Sequence, residues 1–406
     1  MSTLILFEPA NLASFAPLTY LRSVAELRYG IYSNLERTIE LYGQNSDVQL
    51  WIRPILAKDH EERHPNLSIN QTSNKDTLFL NASIPAWLFP KIMSLMENEQ
   101  NLSLYKDGIL IAAKSAQKIQ YSSNFHHDLQ KLKHAELDDD QLDNLPIWIW
   151  DYLDLISEAI EFDMELWKSE NQYLPKINAG ISTLGEKDIF IHNTAQISNF
   201  VHMDASQGPI IIDADCQIGP FCSLEGPLYI GKRSSLKPST SIRHTTVGRV
   251  CNLGGEIKGS IIHPYSNKSH SGYLGDSILG SWINLGAGTN NSNLKNNYQP
   301  IRVSWDCNNY DTDRQFLGAI IGDHSKTAIG VRINTGTLIG PFSNVIHNDF
   351  PPRAIPSFSW GNGTHDLDKA ILTTKKVMGR RGLQLSSVHE ELIIALADDI
   401  QPFTHF

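Results

Sequence analysis

The sequence predicts an α/β domain followed by a three-sided parallel β-helix, on three observations. Aliphatic residues recur at every sixth position over long stretches after residue 210. Ahead of residue 142, buried-strand patterns alternate with amphipathic helical ones. Between these regions lies a tryptophan-rich, acidic segment of helical periodicity. A period of six suits neither a helix of 3.6 residues per turn nor a plain hairpin meander. It suits short parallel strands joined by tight corners, one flat face per hexad, with the aliphatic side chain pointing inward.

In chain order, "TLILFE" and "DTLFLN" read as buried strands, and "YSNLERTIELYG" and "PAWLFPKIMSLMENE" as amphipathic helices. Together they give an α/β domain over residues 1–142. A helical linker, 143–185, opens on Asn-Leu-Pro, a helix start. Within it Ile147, Trp150, Leu153, Ile156, Ile160 and Met164 share one face, and Asp151, Asp154, Glu158, Glu161 and Glu165 another. That is a connecting helix packed on the domains beside it, with a recruiting surface as the alternative.

The β-helix spans 186–348. Ile212, Ile218, Leu224, Ile230, Leu236 and Ile242 keep a strict step of six, Leu253 follows after one slip, and the register returns at Leu279 and Leu285. It reappears as Ile321, Thr327, Ile333, Ile339 and Val345. Glycine often follows the aliphatic residue, where a small residue lets the chain turn a corner. After Val345 the prolines and glycines of "HNDFPPRAIPSFSWGNG" end the repeat. A helical arm over 349–406 follows, with one helix from about Asp366 and another through "SVHEELIIALADDI".

Composition narrows the function. The chain has 406 residues, 41% of them hydrophobic and 19% charged, which is ordinary for a soluble protein. A net charge of −10 opposes bulk nucleic-acid binding, although a local basic patch can still grip one small phosphorylated ligand. The opening "MSTLILFEPA" lacks the basic segment and long apolar run of a secretory signal, and no run approaches the ~18 apolar residues of a membrane span. The four cysteines, Cys216, Cys222, Cys251 and Cys307, form no C-x-x-C pair, so no zinc site is expected and the scattered thiols fit a reducing cytoplasm. Cys216 and Cys222 fall six apart and read as small core or corner residues. His126, His127 and His134 lie beside a run of three aspartates and read as surface, with no metal site.

One histidine stands out. His270, in "NKSHSGYLGDS", follows Arg243, Lys258 and Lys268 and precedes Asn284 and Asn293. Stacked coils bring residues a coil or two apart into contact. A neutral imidazole can take a proton from an attacking amine near neutral pH. An amide can fix its tautomer, while lysine and arginine hold a phosphate. This set suits acyl transfer to an amine on a phosphorylated substrate.

The hexads resemble the left-handed parallel β-helix of hexapeptide-repeat acyltransferases. Because that winding breaks the usual right-handed crossover preference, the hand comes from the resemblance and not from the spacing. Residues 252–294 resemble more closely the acetyltransferase half of the bifunctional N-acetylglucosamine-1-phosphate uridyltransferase/glucosamine-1-phosphate N-acetyltransferase family. The shared elements are Glu256-x-Lys258, His270-x-x-Tyr273-Leu-Gly-Asp, Asn284-x-Gly-Ala-Gly-Thr and Asn293. The resemblance implies that His270 is the general base, oriented by Asn293, and that Arg243, Lys258, Tyr273 and Asn284 bind an amino-sugar phosphate. It places the backbone of Ala287 near the acetyl thioester and coenzyme A between neighbouring coils, and it implies a homotrimer.

Two family positions differ: a lysine after the second asparagine falls near Gln299, with Lys295 as a substitute, and a serine falls near Val331, with Thr327 and Thr335 close by. Arg380 and Arg381, with Lys375 and Lys376, read either as contacts for coenzyme A phosphates or as a solvated basic helix end.

The same family carries a sugar-phosphate nucleotidyltransferase domain ahead of its β-helix, and this chain keeps Pro17-Leu18-Thr19 of it. The loop before that motif, "EPANLASFA", has neither the glycines that let backbone N–H groups close on a triphosphate nor an arginine to neutralise it. Asn81 stands where a metal-binding aspartate is expected. Arg22, Glu26 and Arg28 read as another phosphate site or as an ion-pair set. The expected function is therefore acetyl-CoA-dependent N-acetylation of an amino-sugar 1-phosphate, glucosamine 1-phosphate first, in the route to UDP-N-acetylglucosamine. The alternatives are a bifunctional enzyme that also makes a nucleotide sugar with magnesium and UTP or dTTP, and a non-catalytic sugar-nucleotide sensor.

Overall fold

The computed structural model describes residues 2–137, 142, 145–174, 180–305 and 308–399; Cys307 and the run Asp138–Asp140 lie outside them. The chain forms two compact units. The first comprises Met1–Leu27, Tyr32–Asp151 and Ser386–Ala395, and the second Arg28–Ile31, Tyr152–Leu385 and Leu396–Phe406.

The first unit is built on a seven-stranded sheet. Its strands are β1 (Ser2–Phe7), β2 (Ser46–Trp51), β3 (Ser68–Ile69), β4 (Thr77–Asn81), β5 (Asn101–Lys106), β6 (Ile109–Ser115) and β7 (Lys133–Glu136), in the order β3-β2-β1-β4-β6-β5-β7. Strands β1 to β4 are mutually parallel, and β6 runs antiparallel to both β4 and β5. The apolar runs of β1 and β4 are explained by their central place: Ile5, Phe7 and Phe79 are fully buried, and Phe7 and Phe79 pack with Trp51, Phe125 and Leu129. Helix α1 (Asn34–Tyr42) opens with a capping box, in which the Ser33 hydroxyl accepts from the Glu36 N–H and the Glu36 carboxylate from the Ser33 N–H. Next come α2 (Pro54–Arg63), α3 (Phe89–Leu95) and α4 (Phe125–Gln130).

The expected single connecting helix is two pieces, a 3₁₀ turn at Ile149–Leu153 and α5 (Ile156–Glu170). Ile156, Ile160 and Trp167 are buried as the periodicity requires, but so is Asp163, whose carboxylate accepts the Ile31 N–H at 2.8 Å. The terminal arm is likewise divided. Helix α6 (Leu367–Gly379), capped by Asp366, belongs to the second unit, whereas most of α7 (Ser387–Asp399) belongs to the first.

The second unit is the β-helix. Short strands stack on three faces. The first face runs Gln196–Ile197, Gln217–Ile218, Ser235–Leu236, Asn252–Leu253 and Asn267–Lys268, and continues through Asn284 to Lys326–Thr327 and Asn344–Val345. The second carries His202–Asp204, Ser241–Arg243, Glu256–Lys258 and Tyr273–Gly275. The third carries Ile210–Ile212, Ile261–Ile262, Ile278–Leu279, Ala319–Ile321 and Thr337–Ile339. All pairs along the faces are parallel, and they fit the left-handed parallel β-helix. The six aliphatics in strict step are each no more than 2% exposed, in one continuous core with Cys216, Cys222 and Cys251. Burial pushes the Cys216 and Cys251 thiols up to about 12, so they are packing groups and not nucleophiles.

Corners of the prism require left-handed backbone, and several non-glycine residues adopt it, among them Val250 at φ 60°. A β-branched side chain is a poor occupant of that region, at a cost of about 1–2 kcal/mol. Val250→Asn is expected to raise stability by about 1 kcal/mol, read as a higher urea midpoint at unchanged m-value.

Candidate functional site

On the second face, parallel register sets Arg243, Lys258 and Gly275 on one level and Ser241, Glu256 and Tyr273 on the next. The phenol of Tyr273 lies across Gly275, where a Cβ would stand 2.2 Å from its hydroxyl and displace the ring. The Asn293 amide reaches the same place and donates to the Tyr273 hydroxyl at 3.0 Å and to the Asp276 carboxylate. Asp276 also lies 3.8 Å from the Lys258 ammonium, which stands 4.9 Å above the Phe316 ring. Burial, then the charges of Asp276 and Glu256, hold the Tyr273 phenol above its ordinary range. Arg243 is exposed and Lys258 half-buried, leaving two cations with open faces. Next to Arg243, burial lowers the His244 imidazole, whose Nε2 lies 3.3 Å from the Ser157 hydroxyl.

His270 sits on the edge where the first and second faces meet, between Asn267–Lys268 and Tyr273–Gly275. Its ring is exposed and makes no hydrogen bond among the described residues. Within one chain no hydrogen bond joins it to Asn293, whose amide N–H2 donates to Tyr273 and Asp276. Lys268 is also reassigned. It is 3% exposed and its ammonium donates to backbone carbonyls, so it cannot hold a phosphate.

The remaining expected residues lie on the first face. Asn284 is exposed and follows Asn267 in the ladder, and Ala287 sits at the next corner, where its carbonyl accepts the Gly330 N–H at 2.8 Å. Arg381, just past α6, donates to the Asn267 side chain at 3.0 Å, which joins it to the Asn267–Asn284 ladder, whereas Arg380 ends the helix in solvent. Of the thioester-side positions, the Thr335 hydroxyl is buried without a hydrogen-bond partner among the described residues. Val331 and Thr335 are buried, and the Thr327 hydroxyl accepts the Gly286 N–H and bonds to Thr289. Lys295 is tied to the Pro300 carbonyl at 2.6 Å and Gln299 is exposed.

Sequence reasoning missed Phe316 and the role of Asp276. Asp276 was within reach, because it closes the Tyr-Leu-Gly-Asp block. Phe316 was not, because it returns from a non-hexad excursion that includes the antiparallel hairpin Arg302–Trp305/Asn308–Asp311.

In the first unit, the loop after β1 holds a buried carboxylate. Glu8, 2% exposed, accepts the Arg53 N–H at 2.9 Å, and the Arg53 guanidinium lies 3.2 Å from it and also donates to the Thr19 carbonyl at 2.7 Å. Both ends of the Asn81 amide are used, by the Leu110 carbonyl and by Ser83. Glu26 is the centre of an ion-pair set with His60, Arg63 and His64. His126, read as surface, is half-buried against Phe7 and Phe125, and burial lowers its imidazole.

Residues 4–172 match the family model described as sugar nucleotidyl transferase. The chain is 33% identical over 160 residues to a bifunctional sugar-1-phosphate nucleotidylyltransferase/acetyltransferase of Sulfurisphaera tokodaii, covering 39% of each chain. It is 38% identical over 244 residues to a bifunctional protein GlmU of Methanococcus aeolicus, covering 54% of this chain and 55% of that one. The matched region thus spans about half or less of the curated relatives. Among solved structures, a hexapeptide transferase family protein from Anaplasma phagocytophilum aligns at TM-score 0.29 and 13% identity, covering 54% of this chain and 96% of that one. The sequence matches bear out the resemblance read from the motifs.

The His270 loop makes a sharp test of its own geometry. Gly272, at φ 124°, has no room for a side chain, since a Cβ would meet the Thr289 carbonyl at 2.2 Å, whereas nothing lies within 4 Å of a Cβ at Gly379. Gly272→Ala is expected to cost about 2 kcal/mol or more in a denaturation midpoint, and Gly379→Ala to stay within about 0.5 kcal/mol.

Proposed function

We propose, from the kinship of this chain to the bifunctional sugar-1-phosphate nucleotidylyltransferase/acetyltransferases, that its β-helix is an acetyl-CoA-dependent N-acetyltransferase acting on an amino-sugar 1-phosphate. Glucosamine 1-phosphate is the first candidate, which places the reaction in the route to UDP-N-acetylglucosamine in the cytoplasm. The observation that carries this reading is one constellation: open cations at Arg243 and Lys258, polar groups at Tyr273 and Asn293 on the same face, and an unbonded imidazole at the edge beside them.

The chemistry follows from those groups. Arg243 and Lys258 would hold the phosphate, a doubly charged ligand for which two cations are matched. His270 would accept the proton of the substrate amine as its nitrogen attacks the acetyl carbonyl. The C–N bond forms, the C–S bond breaks, and the coenzyme A thiolate leaves and takes up a proton. The thioester would approach along the first face, past Ala287 and Asn284, with Arg381 beside Asn267 to meet the phosphates of coenzyme A. Asn293 supports Tyr273 and Asp276 in this reading and is not the orienter of His270 within its own chain. By the same kinship we assign a homotrimer, in which a second copy packed along the edge where the two faces meet would close the site.

Nucleotidyl transfer by the first unit is not part of this reading. A magnesium-bound triphosphate needs backbone donors and free carboxylates. The loop after β1 instead presents Glu8, whose charge opposes a phosphate and is already paired with Arg53. The Asn81 amide is fully engaged. No pyrophosphate above background is expected from UTP or dTTP with a sugar 1-phosphate and magnesium; its release would restore the bifunctional reading.

His270→Ala is expected to lower acetyl transfer by about 10²–10⁴-fold, read as thiol release from acetyl-CoA with glucosamine 1-phosphate. Thermal stability should hold, because the ring is exposed. Wild-type turnover retained in the variant would refute the base, and tight ligand binding with no turnover in the wild type would favour a sensor.

A further inference from the structure

On the first face, the inward position of successive rungs is filled by Ile218, Leu236 and Leu253, and then by Lys268. A lysine in an aliphatic slot is costly, since its ammonium loses water. Here it is 3% exposed. Its Nζ donates to the carbonyls of Gly254 at 2.9 Å, His270 at 3.2 Å and Gly272 at 2.6 Å. Those three acceptors match the three donors of an ammonium group. Two of them lie in the loop that carries His270, and the third lies on the preceding coil.

The loop is tight on both sides. A Cβ at Gly255 would meet the Gly272 carbonyl at 2.6 Å and the Lys268 ammonium at 2.9 Å, and Gly272 backs onto the Thr289 carbonyl. The imidazole itself is bonded to nothing among the described residues, so its placement comes from its own backbone.

We infer that Lys268 is the positioning residue for His270: its ammonium ties the carbonyls of residues 254, 270 and 272 together and so fixes the loop that presents the imidazole. The role rests on the acetyltransferase reading above. A leucine, as at position 253, would pack the core equally well and leave this loop untethered. Burial pushes the ammonium down to about 8 against the opposing charge of Glu256, so the slot carries a strained charge where packing alone needs none.

Lys268→Met and Lys268→Gln in the full chain, beside the wild type, test this. Three measurements apply: steady-state thiol release from acetyl-CoA with glucosamine 1-phosphate, the melting temperature, and amide hydrogen exchange over residues 269–272. In the methionine variant kcat should fall by about 10- to 100-fold, because a displacement near 1 Å costs on that order. KM for both substrates should stay within about 2-fold, exchange in the loop should accelerate, and Tm should stay within about 3 °C, as methionine fills the slot. The glutamine variant, which keeps two donors, should recover part of the lost kcat. Wild-type kcat and unchanged exchange in the methionine variant would overturn the inference and leave the acetyltransferase reading standing. Loss of the fold in both variants would make the lysine structural and equally overturn it. A wild-type chain without turnover would sink the acetyltransferase reading, and the role of Lys268 with it.

Discussion

One inward aliphatic side chain per six-residue face is the constraint on which the second unit depends. Each such residue packs against its counterpart one coil away, and strands in register lie about 4.8 Å apart. Register therefore converts sequence separation into neighbourhood: Arg243 and Lys258 are adjacent rungs, and so are Lys258 and Gly275. Asn293 arrives one coil later and closes on Tyr273 and Asp276. A one-residue slip would invert every side chain on a face. The core thus fixes the site without touching it, because an inward Ile242 or Ile257 compels the outward placement of Arg243 and Lys258.

The prism also explains why the polar chemistry gathers at edges. Flat faces present a repeating ladder, such as Asn252 donating to Asn267 at 2.8 Å, and such ladders satisfy themselves. Corners are where the chain leaves the ladder, and a loop of any composition can sit there if its backbone groups find partners. The His270 corner meets that demand with Lys268, placed where the coil would otherwise bury a leucine. A long excursion ahead of Phe316 is tolerated for the same reason: it leaves and re-enters at a corner, and the core on either side keeps its step, from Leu285 to Ile321 and Ile333.

Much of this was legible in the amino-acid order. The step of six gave the buried set residue by residue, and stacking of the coils was expected to bring Arg243 and Lys258 together, as adjacent rungs do. What escaped detection has physical causes. Lys268 reads as one of the cations around His270 until the register shows it below Leu253, since periodicity marks aliphatic positions and a charged residue in the slot breaks the mark. The Asn293 bonds to Tyr273 and Asp276 were not legible because adjacency in a coil does not say which acceptor an amide will choose, and the Asp276 charge competes for it. Helix α5 was read as longer because the apolar spacing continues through Asp154 and Leu155, where the backbone does not stay α-helical. Asp163 belongs to the same class as Lys268: a polar residue whose burial is set by one specific partner, the Ile31 N–H, that no pattern announces.

The two units use their charges in opposite ways. In the first unit two carboxylates, Glu8 and Glu26, are paired internally. Glu8 holds Arg53, and Glu26 is surrounded by His60, Arg63 and His64; burial would raise the Glu26 carboxyl, but His60 and Arg63 outweigh it and keep it well below its usual range. A group so satisfied has no remaining affinity for a ligand unless the ligand first breaks the pair, which costs more than a solvated ion would. In the second unit Arg243 and His270 are exposed, and Lys258 meets Asp276 only at 3.8 Å. Such groups cost the fold little and keep their charges facing solvent. Residues 4–172 match sugar nucleotidyl transferases, yet the charges at Glu8 and Glu26 are already paired there, whereas the edge of the prism keeps Arg243 and His270 exposed.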